Sequence, residues 1–167
     1  MAVTFVVDTS VLKRLHRAEI PRVVEPLALD GILRRASICD LEVGYLARNV
    51  DEWERLIGAL EAFPRVETSA DHVRRALQVQ RLVARDSRRG RKIPDLLVAA
   101  ATEEVDATVL HYDADFDRIA AVTGQPCQWV VPAGTVEWDA LRRPGRPRAV
   151  RRTHYDARRI AISGERS

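Results

Sequence analysis

The chain has few of the residues on which several enzyme classes depend. Its 167 residues include two cysteines, Cys39 and Cys127, far apart, with no CxxC pair and no Cys/His spacing suited to zinc. A disulfide framework is not expected, which favours a reducing, cytoplasmic setting. Cys39 lies in an apolar stretch and reads as a small core residue. The four histidines (His16, His72, His111 and His154) show no metal-ligand spacing. Lysine is nearly absent: Lys13 and Lys92 stand among many arginines. No apolar run approaches the roughly 20 residues of a membrane span. The start, Met1 to Asp8, lacks a basic segment and reaches a charge too early for a signal peptide. No internal repeat is evident.

What is present suits one well-filled domain. At 46% hydrophobic the chain can build a single core, but it is short for two. A net charge of +3 says little about partners. The distribution says more. Arginines gather between Arg85 and Lys92 and again from Arg142 to Arg159, whereas a set of acids belongs to the apolar part. A basic rim beside an acidic centre suits a nucleic-acid backbone near metal ions. The same arginines also read as solvated helix faces and a tail.

Short β-branched runs predict strands at Val3–Val7, Ala36–Cys39, Arg65–Glu67, Ala107–Leu110 and Gln128–Val131. Between them, helical spacing predicts helices after Asp8, from Pro21 to Leu33, through Leu41–Leu46, over Asp51–Ala62 and over Ala70–Arg85. Further helices are expected from Pro94 to Glu103 and over Phe116–Val122. Alternating strands and helices imply a three-layer α/β/α fold with a mostly parallel sheet. From Pro144 onward the pattern decays into a basic stretch rich in Pro and Arg. The expected division is an α/β domain over residues 1–136 and a flexible basic extension over residues 137–167.

Four segments end an apolar run in acid: Val7-Asp8-Thr9-Ser10, Cys39-Asp40-Leu41-Glu42, Ile93-Pro94-Asp95-Leu96 and His111-Tyr112-Asp113-Ala114-Asp115. In an open parallel sheet, ligands gather beyond the carboxyl ends of the strands. Asp8, Asp113 and Asp115 follow strands directly, Glu42 reaches back from a helix, and Asp95 opens a helix. All can meet at one edge, where their repulsion invites a hard divalent cation. Carboxylates without His or Cys favour Mg²⁺ or Mn²⁺. A metal held this way can activate water for in-line attack on phosphorus. Taken singly, Asp8, Asp40 and Asp95 also read as helix caps, and Glu42 as a surface residue. His111 reads as a packing or substrate-contact residue. Arg85, Arg88, Arg89, Arg91 and Lys92 are candidates for RNA backbone contacts.

At these residues the chain resembles a PIN-domain ribonuclease of the VapC type, the toxin half of a toxin–antitoxin pair. The resemblance runs from about Val3 to Val136 and rests on Val7-Asp8-Thr9-Ser10, Asp40-Leu41-Glu42-Val43-Gly44, Lys92 to Ala100, Asp113-Ala114-Asp115-Phe116 and Trp129-Val130-Val131-Pro132. It implies a catalytic and metal-binding quartet of Asp8, Glu42, Asp95 and Asp113. Asp115 would be an added metal ligand at the edge, and Ser10 a supporting neighbour of Asp8. It further implies a hydrolase that cuts RNA (tRNA or rRNA), leaving a 3′-hydroxyl and a 5′-phosphate. It also implies a homodimer and a small VapB-type antitoxin. His111-Tyr112 departs from the polar pair usual in that family, and the tail beyond Pro144 exceeds its usual end. The alternative reading is an RNA- or antitoxin-binding module with weak or lost catalysis. A phosphatase is disfavoured because Asp8-Thr9-Ser10 lacks the Asp-x-Asp of that chemistry.

Overall fold

The apolar runs form five strands: β1 (Phe5–Val7), β2 (Leu33–Ala36), β3 (Arg65–Val66), β4 (Thr108–His111) and β5 (Cys127–Trp129). The structure is a computed structural model and describes residues 3–85 and 92–136. The strands make one sheet in the order β3-β2-β1-β4-β5, parallel at every pairing. The sheet expected to be mostly parallel is thus wholly so. The expected C-terminal extension, residues 137–167, lies outside the described residues.

Seven helices flank the sheet among the described residues: α1 (Thr9–Leu12), α2 (Pro21–Leu29), α3 (Ser37–Gly44), α4 (Val50–Leu60), α5 (Ala70–Arg85), α6 (Ile93–Glu104) and α7 (Asp115–Thr123). Parallel strands need long crossovers, and helices on both faces then bury the strands between them. Accordingly Phe5, Val6 and Val7 of the central strand are all buried. α5 and α6 pack along one another. Their buried residues, Ala76, Val79 and Val83 of α5 and Val98, Ala99 and Ala101 of α6, are small or β-branched, which permits close approach.

Three expectations need correction. The second strand was expected at Ala36–Cys39 but lies at Leu33–Ala36, and Ser37 already opens α3. Two consecutive arginines obscured it. Arg34 faces solvent, whereas Arg35 is only 2% exposed. The helix from Pro21 ends at Leu29 rather than Leu33, because Gly31 turns the chain at φ +69°. The last strand begins at Cys127, one residue before the expected Gln128.

Arg35 survives burial because its guanidinium is fully employed. Nε donates to Asp40 Oδ1 at 2.6 Å, and Nη2 to Asp40 Oδ2 at 3.2 Å. Nη1 donates to the carbonyls of Leu60, at 2.7 Å, and of Phe63. Asp40, expected as a helix cap, is instead this ion-pair partner, and the capping position of α3 is Ala36 with no side-chain bond. The planar fork closes the last turn of α4 onto β2 and α3. Arg35→Ala should therefore cost roughly 3–5 kcal/mol in urea unfolding, because it strands two buried carbonyls and leaves Asp40 to Arg65, 3.4 Å away. A loss below about 1 kcal/mol would contradict this role.

Candidate active site

Strand register brings the acids together. Val7 of β1 pairs with Arg35 of β2 and with Leu110 of β4, so the next residue, Asp8, leaves the sheet level with the ends of both neighbours. The strand order runs outward from β1 to β2 and β3, then returns to the other side of β1 at β4. The edge beyond β1 and β4 is thus the switch point, where crossovers part and leave a crevice. Asp8 comes from the end of β1, Asp95 from the first turn of α6, and Asp113 and Asp115 from the segment after β4. Glu42 projects from α3, and its Oε2 accepts a hydrogen bond from Thr9 Oγ1 at 2.7 Å.

Burial and like charge set the electrostatics. Asp8 and Asp95 are 3% and 4% exposed. Burial raises the Asp8 carboxyl above its ordinary value and Glu42 adds to the rise, although hydrogen bonds from Ser10 oppose it. Burial, with the charge of Asp8 next, pushes Asp95 up to about 8, against the pull of Lys92. Asp113 behaves oppositely. Its partial burial acts to raise it, but the Lys92 ammonium and the Asp115 N–H outweigh that and hold it below the usual range. Buried Cys39 is pushed up to about 12 by burial and by Asp8, so it remains a protonated thiol.

Ser10 lies beside Asp8. Its N–H donates to Asp8 Oδ2 at 2.7 Å, and its hydroxyl accepts from the Tyr112 N–H at 2.9 Å, which ties α1 to the end of β4. Asp8 is therefore the N-cap of α1 as well as an acid at this edge. Sequence reasoning missed Thr9, the buried hydroxyl that holds Glu42. The proximity of residues 9 and 42 exists only in the fold. Lys92, expected on the rim, turns inward: Nζ contacts Asp113 and lies 3.9 Å from both Asp95 and Asp115. Arg85 is exposed at the end of α5. Arg88, Arg89 and Arg91 lie outside the described residues.

His111 is fully buried between Phe116 and Trp129, with ring centroids 5.2 and 5.0 Å away. Burial lowers its basicity, so the ring is neutral. Its Nδ1 accepts from the Asp113 N–H at 3.3 Å, which leaves the ring proton on Nε2. Nε2 approaches Asp117 and Cys127, but with an N–H rather than a lone pair. This Nε2 is buried with no hydrogen-bond partner, 3.8 Å from Asp117 Oδ1. His111 is a packing residue that fixes the backbone at Asp113, and Tyr112 is likewise buried, its hydroxyl bonded to Val136.

The PIN domain family profile matches residues 5–122. The chain belongs to the PIN-domain family. It is 64% identical over 137 residues to ribonuclease VapC51 of Mycobacterium tuberculosis, covering 82% of this chain and all of that one. Ribonuclease VapC18 of the same organism is 40% identical, covering 79% of this chain and 98% of that protein. Among solved structures, VapBC2 from Rickettsia felis bound to a promoter DNA fragment shares the fold at TM-score 0.63 and 15% identity, over 75% of this chain and 98% of that one. A toxin–antitoxin complex from Klebsiella pneumoniae does so at TM-score 0.61 and 19% identity, over 77% and 98%.

The PIN edge of this chain fits a divalent cation on its own geometry. Asp8 Oδ1 and Asp95 Oδ2 are buried with no hydrogen-bond partner. Asp95, Asp113 and Asp115 each offer a carboxylate oxygen, all within 4.8 Å of one another. Orphaned buried oxygens are costly, and a hard oxygen-seeking ion satisfies them. In the metal-free protein the sign of the pH dependence follows from Asp95. Folded, it keeps its proton up to about 8, whereas the unfolded chain releases it near 3.8. Stability is therefore lost as pH rises through that window. Asp95→Asn should melt about 5 °C or more above the parent at pH 8 without metal. The gap should close toward pH 4. Parallel melting curves across this range would refute the raised value.

Proposed function

We propose that this chain is a metal-dependent endoribonuclease that acts as a growth-arresting toxin and is neutralised by a VapB-type antitoxin. One observation carries the reading: buried, mutually repelling carboxylates with orphaned oxygens at the switch-point edge of a PIN fold. The 64% identity to a protein named a ribonuclease supports the reaction class, and likeness to VapBC complexes supports the partner. Asp8, Glu42, Asp95 and Asp113 form the catalytic, metal-holding set, with Asp115 at its edge. The ion is Mg²⁺ or Mn²⁺, since the donor set is oxygen alone. When bound, it supplies charge neutralisation at the scissile phosphate and lowers the pKa of water.

The chain's own residues prepare that chemistry. Ser10 holds Asp8 and Thr9 holds Glu42, which fixes two carboxylates before substrate arrives. A carboxylate oxygen of this set not taken up in holding the ion would orient an attacking water. Arg85, with Arg88, Arg89 and Arg91, supplies cations for the RNA backbone, of tRNA or rRNA. Those contacts position the strand and carry little sequence information. For a VapB-type partner or a second copy, α3 and α4 leave Leu41, Tyr45, Val50 and Trp53 exposed. An apolar patch of this kind suits a protein interface.

Asp8→Asn and Asp113→Asn should each lower RNA cleavage about 100-fold or more and relieve growth arrest on induction. Asp115→Asn should lower cleavage about tenfold. Chelation should abolish cleavage by the parent protein, and Mg²⁺ or Mn²⁺ should restore it. Undiminished cleavage in both single variants, or full activity in excess chelator, would overturn the assignment. Tight RNA binding with no turnover at any divalent ion would favour the binding-module alternative.

A further inference from the structure

We infer that Lys92 is an internal counter-cation that competes with the divalent ion for the carboxylate cluster, so that metal loading requires its ammonium to leave. The inference rests on the metal-site reading above and adds to it a residue that sets the metal affinity. Nζ contacts Asp113 and stands 3.9 Å from both Asp95 and Asp115. These are the same three carboxylates whose oxygens converge on one another. A single positive charge thus occupies the place where the acids would otherwise share a cation. All the ion pairs described for Lys92 are to these acids.

The geometry also makes departure easy. Lys92 is the capping residue of α6, at extended φ and ψ, and its side chain is 59% exposed. Its stem approaches from solvent, whereas Asp95 lies beneath it at 6% side-chain exposure. The ammonium can therefore swing outward without unpacking the core. A lysine ammonium is a compact point charge on a flexible stem, and it forms no rigid fork with any one carboxylate. Asp115 retains Arg118 at 2.9 Å when Lys92 leaves. Asp95 Oδ2 has no hydrogen-bond partner even with Lys92 in place. The lysine therefore offsets charge at the cluster but leaves an oxygen there for a metal to satisfy.

The competing explanation is an ordinary ion pair that fastens the start of α6 to the loop after β4. The two differ in sign at the metal. A competitor lowers the apparent affinity by the fraction of protein in which it has left the site. A structural brace has no such effect, or supports binding by holding the acids in place.

The test is calorimetric titration of the metal-free full chain with Mn²⁺ alone, at near-neutral pH and low salt. Parent, Lys92→Gln, Lys92→Arg and Asp95→Asn proteins are compared after circular dichroism has established folding. Lys92→Gln should bind Mn²⁺ roughly tenfold more tightly than the parent, a change of about 1.4 kcal/mol. Lys92→Arg should remain within about threefold of the parent, since charge is what competes. Equal or weaker binding by Lys92→Gln, in a parent that does bind Mn²⁺, overturns the inference and leaves the metal site intact. No Mn²⁺ binding by the parent, or undiminished binding by Asp95→Asn, overturns the metal-site reading itself.

Discussion

The end of β1 holds two carboxylates, Asp8 and Asp95, in a place that excludes water and gives each an oxygen without a partner. Charge in such a place is expensive. Much of the surrounding structure is a response to that cost. Ser10 donates to Asp8, Thr9 to Glu42, Lys92 leans into the cluster from solvent, and Arg118 steadies Asp115. None of these donors hydrogen-bonds Asp8 Oδ1 or Asp95 Oδ2, although Lys92 Nζ stands 3.9 Å from the latter. The residual demand is for a small hard cation, and the elevated value of Asp95 is the same demand expressed as a proton.

Arg35 is the useful contrast. It is as deeply buried as the acids, yet each guanidinium nitrogen has a partner in Asp40 or the α4 turn. A buried charge that is fully paired is structural, whereas one left partly unpaired stores a preference for a ligand. By this standard Asp40 belongs to the fold and Asp95 carries an unmet demand for a ligand, although both follow apolar runs in the sequence. His111 packs as a structural residue does, although its buried Nε2 is also without a hydrogen-bond partner. Its ring packs between Phe116 and Trp129, and its accepting nitrogen orients the backbone at Asp113. The departure at His111-Tyr112 from the usual polar pair therefore lies in packing beneath the acids, since both side chains are buried.

The structural relatives at 15% and 19% identity share this layered fold. In this chain the order of strands around β1 puts the ends of β1 and β4 beside the start of α6. Side chains elsewhere can drift so long as the core volume and the pattern of burial are kept.

The sequence by itself determined the alternation of strands and helices, and with it a parallel sheet whose carboxyl ends carry Asp8, Asp113 and Asp115. These are local signals: β-branched runs, a proline in the first turn of α6, and acids at the run ends. β2 was displaced by three residues because an arginine pair reads as surface, and only the tertiary partners of Arg35 make such a strand tolerable. The roles of Thr9, Asp40 and Lys92 were likewise decided by the fold. Thr9 meets Glu42 across 33 positions, and Lys92 meets Asp113 across 21. No local pattern encodes contacts of that span. They arise when β1 is clamped between β2 and β4, and that register is set by the burial of the core.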